Sequence, residues 1–194
     1  MTGQQLWNAA RDGDSAKVSA LLSTQGAQSF INYQDANGST PLHNAAASGH
    51  EAVAKQLIAA RCNVDLQAEN GCIPLHCAAY VGHQAVLEQL IVARCNVDLQ
   101  ANNGCTALYF AAVKGHVAVS KQLISACCNV DLQDENGSTA LHVAADQGQA
   151  VVTKQLIAAR CNVDLQDNNG CMALYFATVK GHAAVSKQLI LSML

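Results

Sequence analysis

A thirteen-residue block, GSTPLHNAAASGH, starts at Gly38 and returns as GCIPLHCAAYVGH at Gly71, GCTALYFAAVKGH at Gly104, GSTALHVAADQGQ at Gly137 and GCMALYFATVKGH at Gly170. Every step is 33 residues. A fixed period of this length constrains the fold more than any other feature of the chain. It makes the protein a tandem array whose units bury their apolar faces against their neighbours, giving one elongated domain. Apolar residues make up 51% of the sequence but aromatics only 4%. A core of Ala, Val, Leu and Ile suits helices that approach closely.

Each unit repeats one local grammar. Asp35-Ala36-Asn37-Gly38 is a turn signal, with glycine free to take positive φ. Thr40 follows as a helix N-cap, with Pro41 at the first helical position, where no N–H is required. Leu42, Ala45 and Ala46 face inward on a short helix that ends near Ser48-Gly49, and a second helix over about Glu51–Ala60 buries Val53, Leu57 and Ile58. Neither helix is long enough to be stable alone in water, so stacking supplies the stability. The first unit is an edited copy: Leu6, Trp7, Ala9 and Ala10 give an apolar face, Asp12-Gly13-Asp14 a turn, and Asp14 or Ser15 a cap for a helix through Val18, Leu21 and Leu22. Trp7 is expected to cover the end of the stack.

Thr40-Pro41-Leu42-His43-Asn44-Ala45 and its four later copies closely resemble the T-P-L-H-x-A motif of ankyrin repeats. The resemblance runs over essentially the whole chain. It implies an all-α ankyrin solenoid of about six helix-turn-helix repeats with projecting hairpin-like loops. Residues 1–34 form a divergent capping repeat, 35–67, 68–100, 101–133 and 134–166 the internal repeats, and 167–194 a truncated C-terminal capping repeat. Two departures from the family pattern stand out. The glycine that usually follows the second helix is replaced by Arg61, Arg94, Cys127 and Arg160, and a non-glycine residue in a left-handed conformation costs roughly 1 kcal/mol. The Asn and Asp of the following segment are also swapped. Asp65, Asp98, Asp131 and Asp164 therefore stand where the family can carry an asparagine that is hydroxylated.

Charge and cysteine usage narrow the function. The net charge is −3, and no 33-residue unit lies outside −2 to +1, so no basic stripe marks a nucleic-acid interface. No apolar run approaches membrane-spanning length, and the N-terminus shows neither a basic leader nor an apolar core, which points to an intracellular protein, cytoplasmic or nuclear. Cys62, Cys95, Cys128 and Cys161 recur at the repeat period, as do Cys72, Cys105 and Cys171. Equivalent positions in stacked helices lie roughly 8–10 Å apart, too far for a disulfide. The cysteines read as reduced thiols, and their spacing is not that of a zinc site.

No nucleotide-binding, nucleophile-elbow or metalloprotease motif occurs, and the histidines follow the repeat. His43, His76 and His142 belong to the TPLH positions, where the ring ties the helix start to nearby loops; Tyr109 and Tyr175 replace them in two repeats. His50, His83, His116 and His182 precede the second helices. The expectation is therefore no catalysis, no metal and no cofactor.

What remains is surface. The resemblance implies docking of a partner protein on the concave face formed by the hairpin tips and the exposed side of the first helices. The motif maps that face to Ser48, Cys72, Tyr80, Val81, Cys105, Val113, Lys114, Asp146, Gln147, Val179 and Lys180. Tyr80, Val81 and Val113 form its apolar centre, whereas Asn70, Asn102 and Asn103 read as turn chemistry. Lys55, Glu88, Lys121, Lys154 and Lys187 form the solvated stripe of the outer helices. The last helix ends in Leu189-Ile190-Leu191-Ser192-Met193-Leu194, an apolar run that either folds over the stack or supports self-association. A structural module assembled through this helix is the second reading, and the ankyrin part of a larger enzyme or channel the third.

Overall fold

The structure, a computed structural model, describes residues 2–194; Met1, the first residue of the expected capping repeat, lies outside them. Twelve α-helices follow one another among the described residues: α1 (Thr2–Arg11), α2 (Ser15–Leu22), α3 (Pro41–Ser48), α4 (Glu51–Ala59), α5 (Pro74–Val81), α6 (Gln84–Val92), α7 (Ala107–Lys114), α8 (Val117–Ser125), α9 (Ala140–Asp146), α10 (Ala150–Ala158), α11 (Ala173–Val179) and α12 (Ala183–Ser192). Odd-numbered helices stack into an inner layer and even-numbered helices into an outer one, each packing mainly on its hairpin partner and on the next helix of its own layer. This is the solenoid that the period implies.

The inner layer is held by alanine pairs. Ala45 and Ala46, Ala78 and Ala79, Ala111 and Ala112, and Ala144 and Ala145 are fully buried. Their small side chains let successive helices approach, and Leu42, Leu75, Leu108 and Leu141 fill the space beneath. From α4 onward each outer helix buries a Val/Leu pair, such as Val86 with Leu90 and Val119 with Leu123, whereas α2 buries Val18 alone. Helix starts follow the sequence signals. Thr40 accepts from the His43 N–H at 3.3 Å, Thr106 accepts from the Tyr109 N–H at 3.1 Å, and Asp14 caps α2 by accepting from the Lys17 N–H at 2.9 Å. Trp7 is half-buried and donates through Nε1 to the Ser39 carbonyl at 3.0 Å, which lays the indole along the second repeat.

Polar brackets tie each repeat to the next. The Asn70, Asn103 and Asn136 carbonyls accept from the N–H of Asn102, Glu135 and Asn168 at 2.9–3.1 Å, which locks tip to tip. Gln100 Nε2 donates to the Gly104 carbonyl at 2.7 Å within its own turn and to the Gln133 carbonyl of the next at 2.9 Å; Gln34, Gln67 and Gln133 do the same. The swapped Asp positions form a third bracket. Asp65 accepts from the Asn96 N–H at 3.0 Å, Asp98 from Asn129 at 2.7 Å and Asp131 from Asn162 at 2.9 Å. A carboxylate oxygen serves as well here as an amide oxygen, which accounts for the exchange.

The projecting loops are tight turns closed by side chains, not strands. Asp35 Oδ1 accepts from the N–H groups of Asn37 and Ser39, and the one β-bridge among the described residues pairs Gln166 with Met172. Gly104 shows why the turns need glycine: its φ is +78°, and a Cβ there would lie 2.7 Å from Asp134 Cα on the next tip.

The four residues that replace the post-helix glycine do take the left-handed conformation. Arg61, Arg94, Cys127 and Arg160 have φ of 63°, 60°, 59° and 60°. Arg94→Gly is therefore expected to raise the urea midpoint by the equivalent of about 1 kcal/mol without changing the slope, while Arg94→Ala, which keeps the Cβ, does not. Equilibrium urea titration followed by far-UV circular dichroism checks both.

Candidate functional site

A groove of about 520 Å³ opens between the tips of the third and fourth repeats and the inner helices. Its floor is Cys77, Tyr80 and Val81 of α5 with Phe110 of α7, and its wall on the tip side is Asn70, Cys72, Asn102 and Asn103. Ala47 at the end of α3 closes one end with a methyl group, leaving room beside Tyr80. Phe110 organises the floor. It meets Tyr80 edge to face with ring centroids 5.9 Å apart, His76 at 5.7 Å and Tyr109 at 6.2 Å, arrangements in which a positive ring edge meets a negative face. Lys114 reaches back so that Nζ lies 4.4 Å from the centroid of the Tyr80 ring.

Of the residues expected at a contact surface, Cys72, Tyr80 and Val81 line this groove and Lys114 stands beside it. Tyr80 and Val81 are 47% and 45% exposed. Val113 is half-buried, and Ser48 is exposed at the end of α3; neither is in the lining. The C-terminal residues form a separate polar cluster. Lys180 Nζ lies 3.7 Å from Asp146 Oδ1, Gln147 Nε2 donates to Asp146 Oδ2 at 2.8 Å, and Val179 is largely exposed nearby in sequence.

Cys105 is a correction. It is only 5% exposed, so it presents no contact surface. Tyr109, which stands where other repeats carry the TPLH histidine, lies against its thiol together with Asp134, whereas the equivalent Cys72 stays half-open. Phe110 and Cys77 are additions to the mapped surface that spacing explains: Cys77 lies three residues before Tyr80 on the same helix face, and Phe110 stands one 33-residue period after Cys77. The asparagines perform turn chemistry and line the groove at once. Asn70 Oδ1 accepts from the Cys72 N–H at 3.0 Å and Asn103 Oδ1 from the Cys105 N–H at 3.2 Å, which leaves their amide N–H groups to face outward.

The histidines are committed to structure. His43 Nδ1 accepts from the Thr40 N–H at 3.1 Å while Nε2 faces the Cys72 carbonyl at 3.0 Å; a carbonyl accepts only, so the ring is the neutral Nε2–H tautomer. His76 repeats this between the Ile73 N–H and the Leu99 carbonyl, and His142 between the Thr139 N–H and the Cys171 carbonyl. His50, His83, His116 and His182 each face, through Nε2, a carbonyl near the end of the inner helix of the repeat before their own, at 2.9–3.2 Å, which satisfies an otherwise orphaned helix terminus. All nine cysteines are free, and burial pushes the thiols of Cys62, Cys77, Cys95, Cys128 and Cys161 up to about 12, where they carry almost no nucleophilic thiolate. Among the described residues no three His, Cys, Asp or Glu side chains group closely enough to hold a metal ion, and no helix is long and apolar enough to cross a membrane.

The sequence model of ankyrin repeats in three copies matches residues 6–100, 54–128, 75–158 and 118–193. The chain belongs to the ankyrin repeat family. Among solved structures it is similar to an ankyrin repeat domain from Acinetobacter baumannii AYE, at 28% identity and a TM-score of 0.88 over 96% of each chain. A search of curated proteins returns no match. Ankyrin repeats are generally protein–protein interaction modules, and domains of this kind are typically non-catalytic.

Burial pushes the His76 imidazole down to about 4, because a buried ring resists its charged form. The unfolded chain, with the ordinary value near 6.5, binds that proton more tightly. Stability present above pH 6.5 is therefore lost as the pH falls toward 4, by on the order of 3 kcal/mol for this residue. His76→Gln, neutral throughout, is expected to start less stable at pH 7 but to lose clearly less than the parent between pH 6.5 and 4. Urea midpoints measured across that range check the difference.

Proposed function

We propose that this ankyrin repeat protein is a non-catalytic interaction module that takes a partner protein on its concave face, centred on the groove between α5 and α7. The observation that carries the reading is the half-exposed Tyr80–Val81 pair over the Phe110 floor. Exposed aromatic and apolar side chains gathered in a concavity are what an interface core contains. The absence of catalysis is part of the same reading and rests on the three TPLH histidines, whose two ring nitrogens are both engaged with backbone groups, and on the five thiols that burial holds protonated. Affinity capture from the native source with the parent and a folded Tyr80→Ala variant, read by mass spectrometry, is expected to recover a partner only with the parent. Equal recovery by both baits overturns the placement of the site.

A second reading is favoured by a different surface. α12 buries Val185 and Leu189 against the stack but leaves Ile190 and Leu191 exposed, as are Met193 and Leu194 just beyond it, so the apolar run stays open. Self-association through this helix would cover it. On that reading light scattering during size-exclusion chromatography gives twice the monomer mass, and Leu191→Glu restores the monomer; a parent that is monomeric at high concentration removes it.

A further inference from the structure

Lys114 and Lys180 occupy the same place in their repeats, and each reaches back to the residue 34 positions earlier. For Lys180 that residue is Asp146, and an ion pair forms. For Lys114 it is Tyr80, whose ring face attracts the ammonium but leaves its charge unneutralised. The ion pairs among the described residues are those of Arg11 with Asp12 and Lys180 with Asp146, so Lys114 has no carboxylate. The opposite wall adds donors. Asn70 and Asn103 each hold a turn N–H through the side-chain oxygen, and their amide N–H groups have no partner among the described residues; Asn102 donates its amide N–H to the Glu69 carbonyl at 2.8 Å. No Asp or Glu lines the groove, although Glu69 is exposed on the adjoining tip. The site thus combines an apolar floor with unmatched donors and one unmatched cation.

We propose, resting on the reading of this groove as the partner site, that its occupant is an extended peptide segment carrying an apolar side chain beside a carboxylate. The apolar side chain seats between Tyr80, Val81 and Phe110, the carboxylate meets Lys114, and peptide carbonyls accept from Asn70 and Asn103. Charge complementarity selects the acid. A nucleic acid would ask for several cations along its backbone, and this groove offers one.

An array of short synthetic peptides tests the assignment. Each peptide holds one Leu, Phe or Trp in a Gly-Ser background, with Glu, Gln or Lys at the adjacent positions. The array is probed with the full chain and with its Lys114→Glu and Tyr80→Ala variants, each confirmed folded by circular dichroism. The parent is expected to bind Glu-bearing peptides about fivefold more tightly than their Gln counterparts, the scale of a partly exposed charge pair. Lys114→Glu reverses the preference toward Lys, and Tyr80→Ala weakens all of the peptides alike. Equal binding of Glu and Gln peptides that still depends on Tyr80 overturns the acidic occupant and leaves the groove as the site. Binding indifferent to Tyr80, or no binding by any peptide, overturns both. A single-stranded oligonucleotide that competes for the groove and is lost with Lys114→Glu replaces the peptide with a polyanion.

Discussion

The stacking of one repeat on the next is the constraint from which the rest of this structure follows. Helices of seven to ten residues do not persist alone in water, and none here stands alone. Fully buried alanine pairs bring the inner helices together, and leucines seal the layer between inner and outer rows. Because the contact is made of small side chains, its geometry tolerates little variation. That is why the 33-residue step is kept without insertion from Gly38 to Gly170.

The polar brackets make the same interface directional. Tip carbonyls, glutamine amides and aspartate carboxylates each point from one repeat to its neighbour, and the TPLH histidines fasten helix starts to the loops beside them. Groups that would serve catalysis elsewhere are consumed in this fastening. A neutral imidazole that both accepts from an N–H and donates to a carbonyl has no free lone pair for a metal, and its one N–H is already engaged.

Much of this was legible in the sequence because the period multiplies every local signal. Thr40 before Pro41, the alanine pairs, and the substituted post-helix glycines predicted the caps, the inner helices and the left-handed corners at Arg61, Arg94, Cys127 and Arg160. The surface was read less completely. Motif position puts Tyr80 and Val81 at the end of α5 that lines the groove but treats equivalent positions as equally exposed. Cys72 and Cys105 share a position and differ in burial, because Tyr109 and Asp134 of the next tip together lie against the Cys105 thiol, whereas Cys171, with Tyr175 but no following tip, stays half-open like Cys72. Phe110 is not marked by the end of the inner helix, because the groove-lining face extends three residues further back, through Cys77 and its equivalent one repeat on.

The brackets have a further consequence. The Gln100 amide reaches its own turn and the one after it, and no further, so each repeat is specified by its immediate neighbours alone. The array then behaves as a ruler. Inserting a unit with the same joining residues would lengthen the concave surface by one graduation without disturbing the marks on either side. The span of the surface is a matter of counting, and its local chemistry is engraved one graduation at a time.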